Sequence, residues 1–242
     1  MKFLLIVVAV AAILGGFVTF NSLSTTNDIT TPIQQAKDVA GALEGKSKTE
    51  MSAGMSVVAP GTYTVDAAAS TFDWAGKKPL IDGYINSGTI GLASGAITVG
   101  ESTATGEFTL DMNTLSVGLT AKKPGQESML GDHLKGNRFF DVEKFPTATF
   151  AITKVEPTPM SATDFTYTVT GDLTMKGITN QISFPATIFA ANGALNASAS
   201  TEIDRTLWGI TAGSGNFFEK LGENMIDDMV AISFSIVAKE AQ

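Results

Sequence analysis

The chain has 242 residues, 44% of them apolar and 17% charged, with 24 glycines, which suits one large β domain or two small domains and excludes a disordered polymer. A net charge of −8 excludes a nucleic-acid binder, since phosphates need clustered Lys and Arg, and it reads as a solvated acidic surface. The absence of cysteine excludes disulfides, thiolate metal sites, a thiol nucleophile and a lipid-modified N-terminal cysteine.

Lys2 is followed by an uncharged apolar run from Phe3 to Phe20. Such a run is an export signal. It is just long enough to span a bilayer if it stays uncleaved, and Ser22-Leu23-Ser24 offers a poor cleavage site. Residues 1–20 are therefore a signal peptide or a membrane anchor, and the remainder is expected in the periplasm or cell envelope. Residues 21–60 are rich in Thr, Ser, Ala and Gly and read as a flexible linker, with a short helical patch over Pro32 to Leu43. The folded domain is expected over 61–242.

From Tyr63 onward the pattern has period two. Phe72 and Trp74 alternate with polar neighbours, as do Ile90 and Leu92, then Phe108, Leu110 and Met112. Ala148, Phe150 and Ile152 follow, then Phe165, Tyr167 and Val169, then Ile182, Phe184, Ala186 and Ile188. Leu195, Ala197, Ala199 and Ile203 precede a last series of Val230, Ile232, Phe234 and Ile236. This predicts about eight strands, each apolar on one face, and an all-β antiparallel barrel or sandwich. Only Asn216 to Met225 hints at a helical period. Ala186, Ala197 and Ala199 are small for a solid core, which leaves open both an unfilled interior and packing against bulky neighbours.

The densest motif runs from Gly131 to Phe150: Gly-Asp-His-Leu-Lys-Gly-Asn-Arg-Phe-Phe-Asp-Val-Glu-Lys-Phe-Pro-Thr-Ala-Thr-Phe. It resembles the YceI-like family of lipocalin-like, polyisoprenoid-binding envelope proteins. Three further segments resemble that family in the same order. They are Tyr63-Thr-Val-Asp66 with Ser70 and Trp74, the hairpin Thr170-Gly-Asp-Leu-Thr-Met-Lys-Gly-Ile-Thr179, and the turn Ile203-Asp-Arg-Thr-Leu-Trp-Gly-Ile210. The resemblance spans about residues 61–240. It implies an elongated eight-stranded antiparallel barrel with an isoprenoid chain in an apolar tunnel. The sequence departs from the family pattern at Gly177, where members often carry His, and in the longer Gly213-Ser-Gly-Asn-Phe-Phe-Glu-Lys-Leu-Gly222 segment.

His133 is the single histidine. A serine hydrolase would need it as base beside a nucleophile, and with no cysteine a zinc site would have to rely on carboxylates, so no catalysis, metal or cofactor is expected. Asp132 and His133 read either as a clamp on a ligand headgroup or as a loop pair hydrogen-bonded for structural reasons. Leu134, Phe139, Phe140, Phe145 and Phe150 read either as a lining where the tunnel meets the Asp132–Arg138 loop or as a core plug. Arg205, beside Asp204 and three residues before Trp208, reads either as a structural ion pair or as a partner for a quinone carbonyl or phosphate. With Phe72, Trp74, Phe108, Leu110 and Phe184 from the strands, these residues form the expected ligand-binding set. Asp227-Asp228 reads as a solvated surface pair.

The expected function is non-catalytic carriage of a polyprenol or isoprenoid quinone. The other reading is a ligand-free structural or stress-protective barrel. Expected partners are the lipid and, if residues 3–20 stay uncleaved, the membrane, with a homodimer left open.

Overall fold

The computed structural model describes residues 55–158 and 165–241. The expected export segment, the helical patch at 32–43 and most of the 21–60 linker lie outside the described residues. The described residues form nine strands: β1 (Gly61–Val65), β2 (Thr71–Lys77), β3 (Ile85–Val99), β4 (Ala104–Thr120), β5 (Thr147–Pro157), β6 (Thr166–Met175), β7 (Ile178–Ala191), β8 (Ala194–Asp204) and β9 (Met229–Glu240). A single described α-helix, α1 (Glu127–Lys135), lies between β4 and β5.

Every ladder is antiparallel, and neighbours in sequence are neighbours in space. β1 and β2 both lie between β3 and β9, so they are two halves of one stave. β3 pairs on its other side with β4, which closes an eight-staved barrel and leaves no free sheet edge. The break in the first stave is built by Asp66, whose carboxylate accepts from the Ala69 amide. Ser70 then repairs the ladder, its hydroxyl donating to the Asp66 carbonyl and accepting from the Val237 amide. An Asx turn of this kind lets a strand bend without leaving its amides unpaired.

The β6–β7 and β7–β8 connections are two-residue turns, Lys176-Gly177 and Asn192-Gly193, with φ of 50° and 73° and of 54° and 72°. Two successive positive φ values give the turn whose twist matches the flanking strands. Both ladders accordingly run without a register shift.

The helix falls where the sequence pattern gave no sign of one, and 216–225 holds turns with one 3₁₀ turn at Gly222–Asn224. A nine-residue helix with glycine at its centre is too short for its period to stand out. Tertiary packing supplies the reason it forms. Gly131 is buried beside Val117 of β4, and the Thr120 hydroxyl donates to Glu127 Oε1 at 2.6 Å.

The two ends of the barrel differ. The chain enters at 55–60 and leaves after Glu240 at one, the entry end, where β5 also ends and β6 begins and which carries the 100–103 and 192–193 connections. The other, the loop end, carries 78–84, the 121–146 segment with α1, the 176–177 turn and the long 205–228 connection.

Candidate ligand-binding site

The register identifies which side chains face the axis. Trp74 pairs with Gly88 and Ile232, and Phe72 pairs with Phe234. Ala199 sits in register between Ala186 of β7 and Phe234 of β9. Among the described residues, the inward positions of the mid-barrel hold no acid, lysine or histidine. What they hold is apolar and aromatic.

Four phenylalanines form a continuous band across the barrel. Phe72 stacks parallel to Phe234 at 6.3 Å, Phe234 meets Phe184 edge-on at 5.6 Å, and Phe184 meets Phe150 at 5.7 Å. These spacings lie in the favourable range for aromatic pairs. Small residues seat the rings. A Cβ on Gly171 would lie 2.4 Å from Phe150 Cζ, so the Phe150 ring lies flat over a bare backbone on the neighbouring strand. Ala199 is the register partner of Phe234, and both pack against the Val169, Phe184 and Ala186 cluster.

Burial along the barrel is uneven. Near the entry end Tyr63, Val65, Ile97, Leu195, Ile236 and Ala238 are fully buried together. Near the loop end Leu173, Ile203 and Trp208 are buried as one cluster, and Met112, Leu115 and Val142 belong to another. Between them Val169, Phe184 and Ala186 are fully buried as well, while Phe72, Leu92, Phe108, Phe150, Ile152, Ile182, Ile188, Ala197, Ile232 and Phe234 face inward yet are only half-buried. An inward side chain of a closed barrel keeps accessible surface only where space lies beside it. Space therefore lies beside part of the mid-barrel lining, between ends that are packed.

One inward polar atom is unmet. Asn86 lies on the face of β3 shared by Gly88 and Ile90, across from Thr120 near α1. Its Oδ1 is buried and has no hydrogen-bond partner among the described residues. A buried acceptor of this kind ordinarily finds a donor. No sequence signal marked it, because an Asn two residues before a glycine-bearing strand segment reads as turn chemistry.

The expected site residues do not converge on one place. Phe72, Phe150 and Phe184 join the central band, Phe108 lies against the entry-end cluster, and Leu110 is buried near Ile90. Trp74 faces inward, its Nε1 donating to the Ser116 carbonyl at 3.2 Å. Asp132 and His133 are exposed on α1, where the His133 ring meets the edge of Phe139 at 5.8 Å. Phe139 is buried with Ile210 and Ala212, while Leu134 and Phe140 bridge that cluster and the one around Leu110. Phe145 lies against Gly177, with the Lys144 ammonium over its ring at 5.0 Å.

Arg205 and Trp208 serve the loop end from within. Trp208 is fully buried and donates to the Leu173 carbonyl at 2.9 Å. The Arg205 guanidinium donates to the carbonyls of Asp227 at 3.0 Å, Ile226 at 3.2 Å and Ile210, and pairs with Asp228 at 3.3 Å. Burial pulls its pKa below the ordinary value, while Asp228, Asp204 and Asp227 push it back. Its ion-pair partner is Asp228, not the adjacent Asp204, whose carboxylate instead accepts from the amide and hydroxyl of Thr206. The Asp227-Asp228 pair is likewise not simply solvated. Asp228 also accepts from Ser214 and Asn216, and Asp227 pairs with Lys77 at 3.3 Å.

Comparison with known proteins places this architecture. The family model described as a YceI-like domain matches residues 63–238. A UPF0312 protein of Pseudomonas putida GB-1 is 38% identical over 88 residues, which is 34% of this chain and 44% of that protein. A UPF0312 protein of Pseudomonas putida F1 is 46% identical over 55 residues, 23% of this chain and 27% of that protein. The chain thus matches less than half the length of these curated relatives. Among solved structures, BcnA of Burkholderia cenocepacia has 22% identity and a TM-score of 0.55, covering 72% of this chain and 99% of its own. A polyisoprenoid binding domain from Saccharophagus degradans has 15% identity and a TM-score of 0.55, covering 74% and 98%. At these identities the likeness to both structures is one of fold.

Proposed function

This chain belongs to the YceI-like domain family, and we propose that it holds a long apolar lipid of the isoprenoid class inside the barrel and carries it through the cell envelope without chemical change. The observation that carries this reading is a closed barrel with an apolar interior, in which inward side chains such as Phe72, Phe108, Phe150 and Phe234 are only half-buried. The description of the Saccharophagus degradans domain as polyisoprenoid-binding supports the ligand class.

The physics of such a site is undemanding. Each buried CH₂ contributes about 0.8 kcal/mol, so several isoprene units offset the freedom that the ligand loses. Phe72, Phe150 and Phe234, backed by the buried Phe184, present apolar ring surface to a branched, unsaturated chain. The unmet Asn86 Oδ1 favours a ligand that brings a donor, a polyprenol or hydroquinone hydroxyl rather than a quinone carbonyl. Residues 3–20 direct export and then either remain as an anchor or are removed.

Native mass spectrometry of the exported protein, prepared without detergent, tests the reading. A discrete adduct that releases an isoprenoid on organic extraction is expected. A clean apo mass that persists after incubation with polyprenols and with ubiquinone sinks the proposal in favour of a ligand-free barrel.

A further inference from the structure

Exposed apolar side chains are unevenly distributed over the surface. Among the described residues, Val57 is the sole large exposed one at the entry end, and all the others belong to the loop end. The most exposed of these are Met129 at 60%, Leu80 at 59%, Phe217 at 57% and Leu207 at 56%, and Phe218 follows beside Phe217 at 48%.

Cations share that bias. Of the described lysines and arginines, all but Lys154 and Lys239 belong to the loop end, where acids are about as numerous, so any excess of positive charge there is local. Two adjoining loops concentrate them. Lys122 lies against Gly83, and the Lys78 ammonium stands 5.1 Å from the centre of the Tyr84 ring. These loops hold Lys78, Lys122 and Lys123, none of which forms an ion pair among the described residues, against the single acid Asp82.

The loop bearing Phe217 and Phe218 is fixed beside them. The Asp227 amide donates to the Lys77 carbonyl at 2.9 Å, and the Ser214 carbonyl accepts from the amides of both phenylalanines. Asp228 in turn holds Ser214 and Asn216. Glu219 and Glu223 lie on the same loop with Lys220, so the charge excess rests with the 78–84 and 121–126 loops.

We propose that this edge of the loop end is a docking face for an anionic lipid bilayer, with Leu80, Phe217 and Phe218 entering the interface and Lys78, Lys122 and Lys123 meeting the headgroups. Apolar side chains among cations are the combination that binds such a surface. A second copy fits poorly, because a like-with-like approach would set lysine against lysine, and the closed barrel offers no edge for strand addition. The entry of the chain at the opposite end is no obstacle. Residues 21–54 fully extended reach on the order of 100 Å, about twice the length of the 17-residue β4 at about 3.3 Å per residue. The inference concerns the outer surface and holds whether or not the interior carries a ligand.

Because the chain has no cysteine, single labels report on each end of the full-length protein. Phe217→Cys places an environment-sensitive dye on the proposed face, and Ser102→Cys places one at the entry end. With vesicles of phosphatidylcholine and phosphatidylglycerol, the dye at 217 is expected to shift to the blue and to be quenched by nitroxide lipids. The dye at 102 is expected to do neither. Adding K122E/K123E is expected to weaken vesicle association by about tenfold, with high salt acting the same way. The proposal is overturned if the 217 dye stays solvent-like, if both dyes respond alike, or if pure phosphatidylcholine works equally well. A shift at 217 that grows with protein concentration and needs no vesicles would overturn it too, in favour of a copy-to-copy interface.

Discussion

The two ends of this barrel solve the same closure problem by different means. The entry end is sealed by strand residues themselves, with Tyr63, Val65, Leu195 and Ala238 meeting beneath short connections. The loop end is sealed by added chain: α1 against β4, and the 205–228 segment folded around Trp208 and Arg205. A strand-built seal needs only the alternation of the strands. A loop-built seal must satisfy its own carbonyls, and one buried guanidinium does this for Ile210, Ile226 and Asp227 together.

The largest test of that contrast is Arg205→Ala. It orphans three carbonyls and leaves Asp228 without its cation, and about 3–5 kcal/mol of stability is expected to be lost in urea unfolding. Hydrogen exchange should rise first in 205–228 while the entry end stays protected. Uniform exposure of both ends would break the idea that they are sealed independently.

Ala199→Phe probes the interior between the ends. If the interior is empty, the added ring fills it, the lipid adduct disappears from native mass spectra and stability is kept or raised. If the interior is solid, overpacking costs about 1–3 kcal/mol, and calorimetry separates the two cases.

At the entry end, Tyr63→Phe removes one hydrogen bond, from the Tyr63 hydroxyl to the Ala59 carbonyl at 2.9 Å. The expected cost is about 1 kcal/mol, well below that of Arg205→Ala. Near-equal losses would erase the distinction between the two seals.

The smallest expected effect is a pH dependence in the broken stave. Burial raises the Asp73 pKa, whereas hydrogen bonding and attraction from Lys239 lower that of Asp66. Asp73 binds its proton more readily folded than unfolded, so its stabilising contribution is present below the ordinary carboxylate range and is lost as pH rises through the folded pKa. Asp66 behaves oppositely, its contribution being lost as pH falls. Asp73→Asn is therefore expected to raise stability at neutral pH and to steepen the net loss on acidification. Urea midpoints taken across the acid range would show this, and an unchanged curve would place Asp73 in solvent.

The all-β class, the eight staves and the identity of the inward faces were legible in the residues, because a period of two is a local property that each strand carries by itself. The Asn192-Gly193 turn is equally local, since its positive φ values follow from its residue types. The signature around Gly131 to Phe150 identified the family, yet it scattered its own phenylalanines: Phe150 to the central band, Phe139 to a plug, Phe145 to a turn. No periodicity assigns those fates, which depend on distant partners such as Gly171, Ile210 and Gly177. Helix α1, the pairing of Arg205 with Asp228 across 23 residues and which inward side chains stay half-buried are likewise decided by tertiary structure. Each arises from contacts between segments far apart in the chain, where the sequence records the participants and only the closed barrel records their meeting.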